Sequence, residues 1–512
     1  MTEPAAACEA VPQTPPHGHS HREILKSSAL IGGSSAINIG IGIARTKAMA
    51  LLLDPAGYGV MGAYVQVCDL ARSAAQMGLN ASGVRQIAEA AASSDAQRIA
   101  RVVTVLRHTS IVCALIGAVL LAVLAGPVSE LTFGNTEHES AVALLGVAVF
   151  FTVVAGAQGA LLQGLRRIGD MARLSVMGAL MGTLIGVPMV WWLGIDGLAP
   201  TLVLMAMVAL LASWWYSRRI EIAPPVMSTR EMAGESLALL QLGLAFMASG
   251  LLMTGAAYAV RAIVLRQSGL EAAGIYYAAW TLGGLYLGFV LQALGTDFYP
   301  RLVGVAADNE ASNRLVNEQA QVSMLLAMPG VLFTLAVAPL VLTLFYSAKF
   351  TPAADTMRWI CLGMALRVLN WPLGYVVVAK NRQALFFSVE VAWVVVNVAL
   401  TWWCVDAFGV AGAGIAFVGS NVFHGLIIYP IVRQLSGFRW TAVNVATAWF
   451  FLGLITAVFV ALQTLPATVA IPLSLLATAG STWFSVRTLV HLTAAERLPS
   501  SIRRLLRLGG GA

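Results

Sequence analysis

The chain has 512 residues, of which 58% are hydrophobic and 11% charged, with a mean hydropathy of +0.80. A water-facing surface needs roughly a quarter of its residues charged, so a soluble globular protein is excluded and an integral membrane protein remains. The net charge of +7 is a topology signal rather than a nucleic-acid footprint, and the five scattered cysteines, with no CxxC among them, make neither a redox nor a metal centre.

Residues 1–22 are polar and proline-rich and read as a disordered cytoplasmic tail, with no apolar core for a cleaved signal. His17, His19 and His21 belong to that tail rather than to a metal site. A spanning helix needs about 20 mostly apolar residues. Fourteen such segments follow, near 27–53, 59–80, 102–126, 139–162, 172–193, 198–217, 236–263, 274–296, 321–345, 357–379, 384–406, 410–431, 443–463 and 467–487. Short connections separate them, and a basic amphipathic segment over 489–512 closes the chain on the inner leaflet. With the N-terminus inside, 23 of the 31 Lys and Arg fall on the cytoplasmic side and three (Arg266, Lys349 and Arg358) on the other. This asymmetry predicts that both termini are cytoplasmic.

The remaining five cations, Arg45, Lys47, Arg72, Arg261 and Arg367, lie inside predicted spans. Each costs about 2.5–3.5 kcal/mol at mid-span on insertion scales, so they must face counterions or a watery cavity. Span 1 carries Asn38, Arg45 and Lys47 and no acid before Asp54. Arg45 and Lys47 sit toward its outer half, where snorkelling is the alternative. Span 2 places Gln66, Asp69, Arg72 and Gln76 on one face, within roughly a 120° arc. Asp69 and Arg72 can pair at i, i+3, as a static ion pair or as part of a cavity wall. Arg261 in span 7 falls one residue from the repeat-equivalent of Arg45. Tyr276, Tyr277 and Trp280 in span 8 read as the interfacial aromatic belt, with stacking on sugar as the alternative. Span 10 holds Arg367 near its middle, with Asn370, Trp371 and Gly374 on the same face and Pro372 to bend it. Glu390 in span 11 is its candidate counterion. Span 12 adds Asn421 and His424, the latter more readily a packing residue. Together these predict a cationic cavity at the interface of two lobes, suited to an anion because guanidinium groups bind phosphate bidentately.

The two lobes follow from a repeat. GIDGLA at 194–199 and GVAGAG at 409–414 make the same turn 215 residues apart. Gly59 and Gly274 keep that offset, as do Arg166 and Asn381, while GLNASGVRQ and LGTDFYPRL match with a slip of about two residues. Six spans per copy is an even number, so both copies start on the same side and form a parallel repeat. The predicted fold is an all-α integral membrane protein of about 14 transmembrane helices. Its N-lobe is 23–219, its C-lobe 220–434, and two C-terminal helices follow over 435–488.

That architecture, with LLLDPAGYGVMGAYVQ (51–66), LTFGNTEHESAVALL (131–145), LFYSAKFTPAADTMRW (344–359) and LGYVVVAKNRQALFFSVE (373–390), resembles the Wzx-type flippases for lipid-linked oligosaccharides. These form the O-antigen branch of the multidrug/oligosaccharidyl-lipid/polysaccharide exporter superfamily. The likeness covers about residues 25–435. It implies an inner-membrane transporter that carries undecaprenyl-pyrophosphate-linked glycan to the periplasmic leaflet by alternating access. Its partners would be membrane lipids and a polymerase or chain-length complex. The alternatives are a flippase for another polyprenyl-linked precursor and an ion-coupled multidrug exporter, though the latter wants acids in span 1. No Walker A motif, cofactor motif, catalytic Ser/His/Asp set or large external loop is present, which argues against direct ATP drive and against a membrane glycosyltransferase or polymerase. The expected substrate contacts are Arg45, Lys47, Gln66, Arg72, Gln76, Arg261, Arg367 and Asn370, with Asp69 and Glu390 as coupling counterions.

Overall fold

The computed structural model describes residues 17–92, 95–220 and 227–492. Most of the predicted N-terminal tail, and the basic segment from residue 493 onward, lie outside the described residues. The described chain is helical, as a chain in hydrocarbon must be to satisfy its own backbone donors and acceptors. In order the helices are α1 (His17–Gln76), α2 (Leu79–Ala92), α3 (Ala96–Val123), α4 (Ala125–Phe133), α5 (Glu139–Gly164), α6 (Ile168–Leu193), α7 (Leu198–Ser217) and α8 (Thr229–Gly304). The second part continues with α9 (Asn309–Ala336), α10 (Ala338–Phe345), α11 (Ala353–Ala379), α12 (Gln383–Phe408), α13 (Val410–Ser436), α14 (Ala442–Thr464) and α15 (Ala467–Leu492). Thus α1 begins at His17, inside the segment expected to be tail.

Among the described residues, eleven helical stretches are long and apolar enough to cross a membrane. Three of them are doubled by internal breaks at Asp54, Gly194 and Gly269, which makes fourteen crossings. The breaks explain why the same turns recur. Asp54 (φ 53°, ψ 177°) and Gly269 (φ 87°, ψ 177°) divide α1 and α8 into two arms at one geometry, 215 residues apart. Gly194 (φ 61°, ψ −137°) and Gly409 (φ 62°, ψ −145°) do the same between α6 and α7 and between α12 and α13. A Cβ on Gly197 would stand 2.9 Å from the Met189 carbonyl, and one on its equivalent Gly412 would stand 2.0 Å from that of Cys404. Both turns therefore need one glycine for its dihedral and a second for clearance. At the other end Arg166 (φ 54°) and Asn381 (φ 57°) are again paired. There the Arg167 N–H donates to the Leu162 carbonyl at 2.9 Å and the Arg382 N–H to that of Val377 at 3.1 Å, the same six-residue closure of a helix end.

The two-residue slip has a location. Asp95 and Asp308, the side-chain N-caps of α3 and α9, are 213 apart. Between Asp54 and Asp95 the chain breaks at Met77 (φ 45°) and Gly78 (φ 70°), where the second arm of α8 runs on unbroken. The six crossings from α1 to α7 and the six from α8 to α13 thus form two equivalent halves. The turns at Asp54, Gly194, Gly269 and Gly409 mark one end of the bundle, here the glycine-turn end. His17 and Leu492, the ends of the described chain, and most of the described basic residues mark the other, the basic end. Outside the repeat, α14 and α15 pack along α9. Asn444 donates to the Asn317 carbonyl at 2.8 Å, and α15 offers a buried stripe of small residues, Ala470, Ser474, Thr478, Ser481 and Ser485.

Candidate functional site

The halves meet where the second arms of α1 and α8 cross. A Cβ on Gly59 would fall 2.1 Å from the Leu270 carbonyl, and one on Gly274 would fall 1.8 Å from that of Pro55. Gly59 and Gly274 are repeat equivalents, and so are Pro55 and Leu270, so the pseudo-twofold relation of the halves is built on a backbone-to-backbone contact. Three cations fasten the same end. Lys349 pairs with Asp54 at 2.7 Å, Lys47 donates to the Thr343 carbonyl at 2.7 Å, and Arg266 donates to the Glu130 and Leu131 carbonyls at 2.8 and 3.2 Å. The Tyr258 and Thr132 hydroxyls add a 2.7 Å contact. Beside them the Tyr64 hydroxyl meets His138 Nδ1 at 2.7 Å, with that ring stacked on Phe133. Desolvation there lowers the imidazole pKa against the opposing pull of Glu137 and favours the neutral ring.

Below the glycine contact the seam becomes polar. Arg261 Nη1 donates to Gln66 Oε1, and Gln66 Nε2 reaches the Thr254 carbonyl at 3.3 Å. The Arg261 guanidinium lies 4.7 Å from the centre of the Tyr277 ring. Tyr277 is within electrostatic range of Arg45 and Asp69 as well, and Asp69 pairs with Arg72 at 3.1 Å with both side chains 43% exposed. Arg261, Gln66 and Tyr277 thus form the contact group at the seam, the Asp69–Arg72 pair follows on the same arm of α1, and the Arg45 guanidinium lies beside Gly182 of α6. The aromatic-belt expectation is corrected: Tyr276 is buried, and Tyr277 and Trp280 are half-buried inside the protein, Tyr277 packed over Gly62 at the seam. Being close to the paired glycines was the signal that could have found it. Gln76 departs from its expected stripe and turns toward Gly156 of α5 and Asn80.

Arg367 occupies a different place from the one expected. With Asn370, Glu390 and His424 it lines a cavity of about 340 Å³ inside the second half, between the first arm of α8, α11, α12 and α13. The interface location is corrected accordingly, because α11 packs against α13 and α8, within its own half. Trp371 joins that lining from the face of α11 shared with Arg367, and so do Ser249, Tyr375 and Trp393, residues for which the sequence held no signal beyond apolar helix. Arg367 and Glu390 face the cavity without closing an ion pair within 4 Å among the described residues. Asn370 is buried and donates to the Asn421 carbonyl at 2.8 Å. Arg367, Trp371 and Tyr375 also border a larger opening of about 660 Å³ that runs along the second arm of α8 past Trp280 and Gln292. Arg367, Trp371 and Tyr375 thus stand between the cavity of the second half and the open side of the α8 arm.

Among known proteins, residues 48–355 match a family described as "Polysaccharide biosynthesis protein". The chain is 22% identical over 403 residues to the Lipid III flippase of Escherichia coli (strain K12), covering 78% of this chain and 96% of that one, and equally to the Lipid III flippase of Shigella flexneri. In fold it is similar to the Lipid II flippase MurJ in an inward closed conformation, with a TM-score of 0.70 at 11% identity over 90% of this chain and 99% of that one. It is also similar to an inward-facing multidrug resistance MATE family transporter of the MOP superfamily, with a TM-score of 0.66 at 16% identity over 79% and 95% of the two chains.

Proposed function

We propose that this chain, which belongs to the polysaccharide biosynthesis protein family, is a flippase that carries an undecaprenyl-pyrophosphate-linked oligosaccharide across the inner membrane. The observation that carries the reading is the cationic set in the spans. Arg261 lies over Tyr277 at the seam, Arg45 and Arg72 sit in the arms of α1, Arg367 lines the cavity of the second half, and among the described residues Asp69 pairs with Arg72 and Glu390 shares the cavity of Arg367. Arginine retained at such depth marks a pathway for a charged group. Its planar fork matches phosphate, and the amides of Gln66 and Asn370 and the rings of Trp371 and Tyr375 offer hydrogen bonds and stacking to sugar. The flippases named among the relatives carry lipid-linked cargo, which agrees with this chemistry.

The positive-inside rule makes the basic end cytoplasmic. The glycine contact and the three cation bridges then close the periplasmic side, and the headgroup enters from the cytoplasm past the α8 arm while its polyprenyl tail stays in lipid. Alternating access is a rocking of the halves. A membrane-impermeant maleimide should label a cysteine placed at Asn135 in intact cells and one at Asp308 only after permeabilisation. The opposite pattern would invert the transport direction.

Release needs a competitor for the cations, since a site that only binds would stall. Asp69 and Glu390 serve by taking Arg72 and Arg367 as the pyrophosphate leaves. Asp69→Asn and Glu390→Gln should bind the lipid-linked glycan at least as tightly as wild type and turn over several-fold more slowly. Weaker binding with unchanged turnover would reject the release role. The function itself is tested by deletion: the lipid-linked glycan should accumulate on the cytoplasmic leaflet, and its normal appearance in the periplasm would refute the reading.

A further inference from the structure

The two halves differ in what covers their third crossing. In the second half α14 and α15 lie along α9, where Ala320, Met324, Leu325 and Met328 are buried. At the 213-residue offset set by the N-caps, their counterparts on α3 are Arg107, Ile111, Val112 and Leu115. Ile111, Val112 and Leu115 are 47%, 43% and 57% exposed, and none of the described helices lies over them. An arginine thus stands where the second half has a buried alanine.

Arg107 is not alone on that face. With Arg218, Gln158, Ser217, Trp214 and Ile111 it lines a cavity of about 450 Å³ between α3, α5 and α7, near the basic end. Arg218 lies over Trp214 and Trp215 at 4.8 and 4.2 Å from their ring centres, which fixes its guanidinium at the cavity rim. Among the described residues, neither arginine has a carboxylate within 4 Å. Gln158 is only 8% exposed. Its Oε1 accepts the Ser213 hydroxyl at 2.8 Å, and no hydrogen bond from its Nε2 is found among the described residues. Two guanidiniums, the amide of a buried glutamine, a pair of exposed tryptophans at the basic end of α7 and an apolar floor of Ile111, Val154 and Ala157 make an amphipathic site.

We propose that this cavity holds the phosphate headgroup of an anionic phospholipid, with its acyl chains lying along the uncovered face of α3. The phosphate takes the Arg107–Arg218 pair and the Gln158 amide, the tryptophans sit at headgroup height, and the chains cover the surface that α14 and α15 cover on the other half. The site is apart from the seam and from the Arg367 cavity, so it does not depend on the transported substrate.

The test is native mass spectrometry of the purified full-length protein with added phosphatidylglycerol, phosphatidylcholine or soluble glycerol phosphate. Wild type should retain phosphatidylglycerol over phosphatidylcholine by about thirtyfold, as two interfacial guanidiniums would give, and glycerol phosphate at millimolar level should not displace it. Arg107→Gln with Arg218→Gln should bring the two lipids level. Arg107→Gln alone, at a surface position with no folding role, should lose part of the preference. Equal retention by wild type, or a preference unchanged in the double variant, would overturn the site. Displacement by glycerol phosphate would assign it to a soluble phosphate and overturn the lipid reading. Disulfide cross-linking of two copies through Leu115→Cys in membranes would give the face to a protein partner instead.

Discussion

Replacing Gly274 by alanine is expected to hold the periplasmic end open. The new Cβ would stand 1.8 Å from the Pro55 carbonyl oxygen and 3.0 Å from the Gly59 nitrogen, both backbone atoms in a helix that cannot yield locally. Gly59→Ala meets the Leu270 carbonyl at 2.1 Å and should act alike. Overpacking of this kind costs about 1–3 kcal/mol or more in the state that contains the contact. The state in which the halves are apart at this end makes no such contact and bears no cost. The equilibrium between the two should therefore move on the order of ten- to a hundredfold toward the outward-open form. A cysteine at Ala63 or Ala273, both buried beside the contact, reports it: impermeant maleimide should label it several-fold faster in the Gly274→Ala background, and transport should fall. Unchanged labelling with unchanged transport would mean that the contact is not a gate. Alanine at Gly480 of α15, which has open space around it, is the control and should change neither.

The second large effect is at the arginines. Arg261→Ala leaves Gln66 Oε1 without its donor and Tyr277 without the cation over its ring, and Arg367→Ala removes the only guanidinium that lines the cavity of the second half among the described residues. A hydrogen bond to a charged group contributes about 1.5–3 kcal/mol, so each variant should lose on the order of ten- to a hundredfold in headgroup affinity. Complementation of a flippase-null strain should fail at normal protein level. Lysine at either position should recover part of the activity, since charge survives and the bidentate fork does not. Full transport by well-inserted alanine variants would put the anion site elsewhere. Lys47→Ala is expected to act differently. Its amine is taken by the Thr343 carbonyl at the glycine-turn end, so its loss should loosen that closure rather than weaken substrate binding.

The sequence by itself determined the class, the number of crossings and the repeat, because each rests on local chemistry. Apolar runs of spanning length cannot be other than helices in hydrocarbon. The turns at Gly194 and Gly409 need glycine at fixed spacing whatever surrounds them, so the 215-residue offset survives where side chains have diverged. The Asp69–Arg72 pair was legible too, since i, i+3 neighbours on a helix meet without help from the rest of the fold. Partners across the molecule were not legible. That Arg261 would reach Gln66, that Lys47 would be taken by α10, and that Tyr277 would sit among charges instead of at the lipid headgroups depend on how closely α1 and α8 approach. The paired glycines set that approach, and it becomes visible only once both helices are placed. Arg367 is the clearest instance. Its depth in a span announced a pathway residue, but helical periodicity gives a face and not a neighbour. Only the packing of α11 against α13 and α8 decided that this face would open into a cavity of the second half instead of the seam.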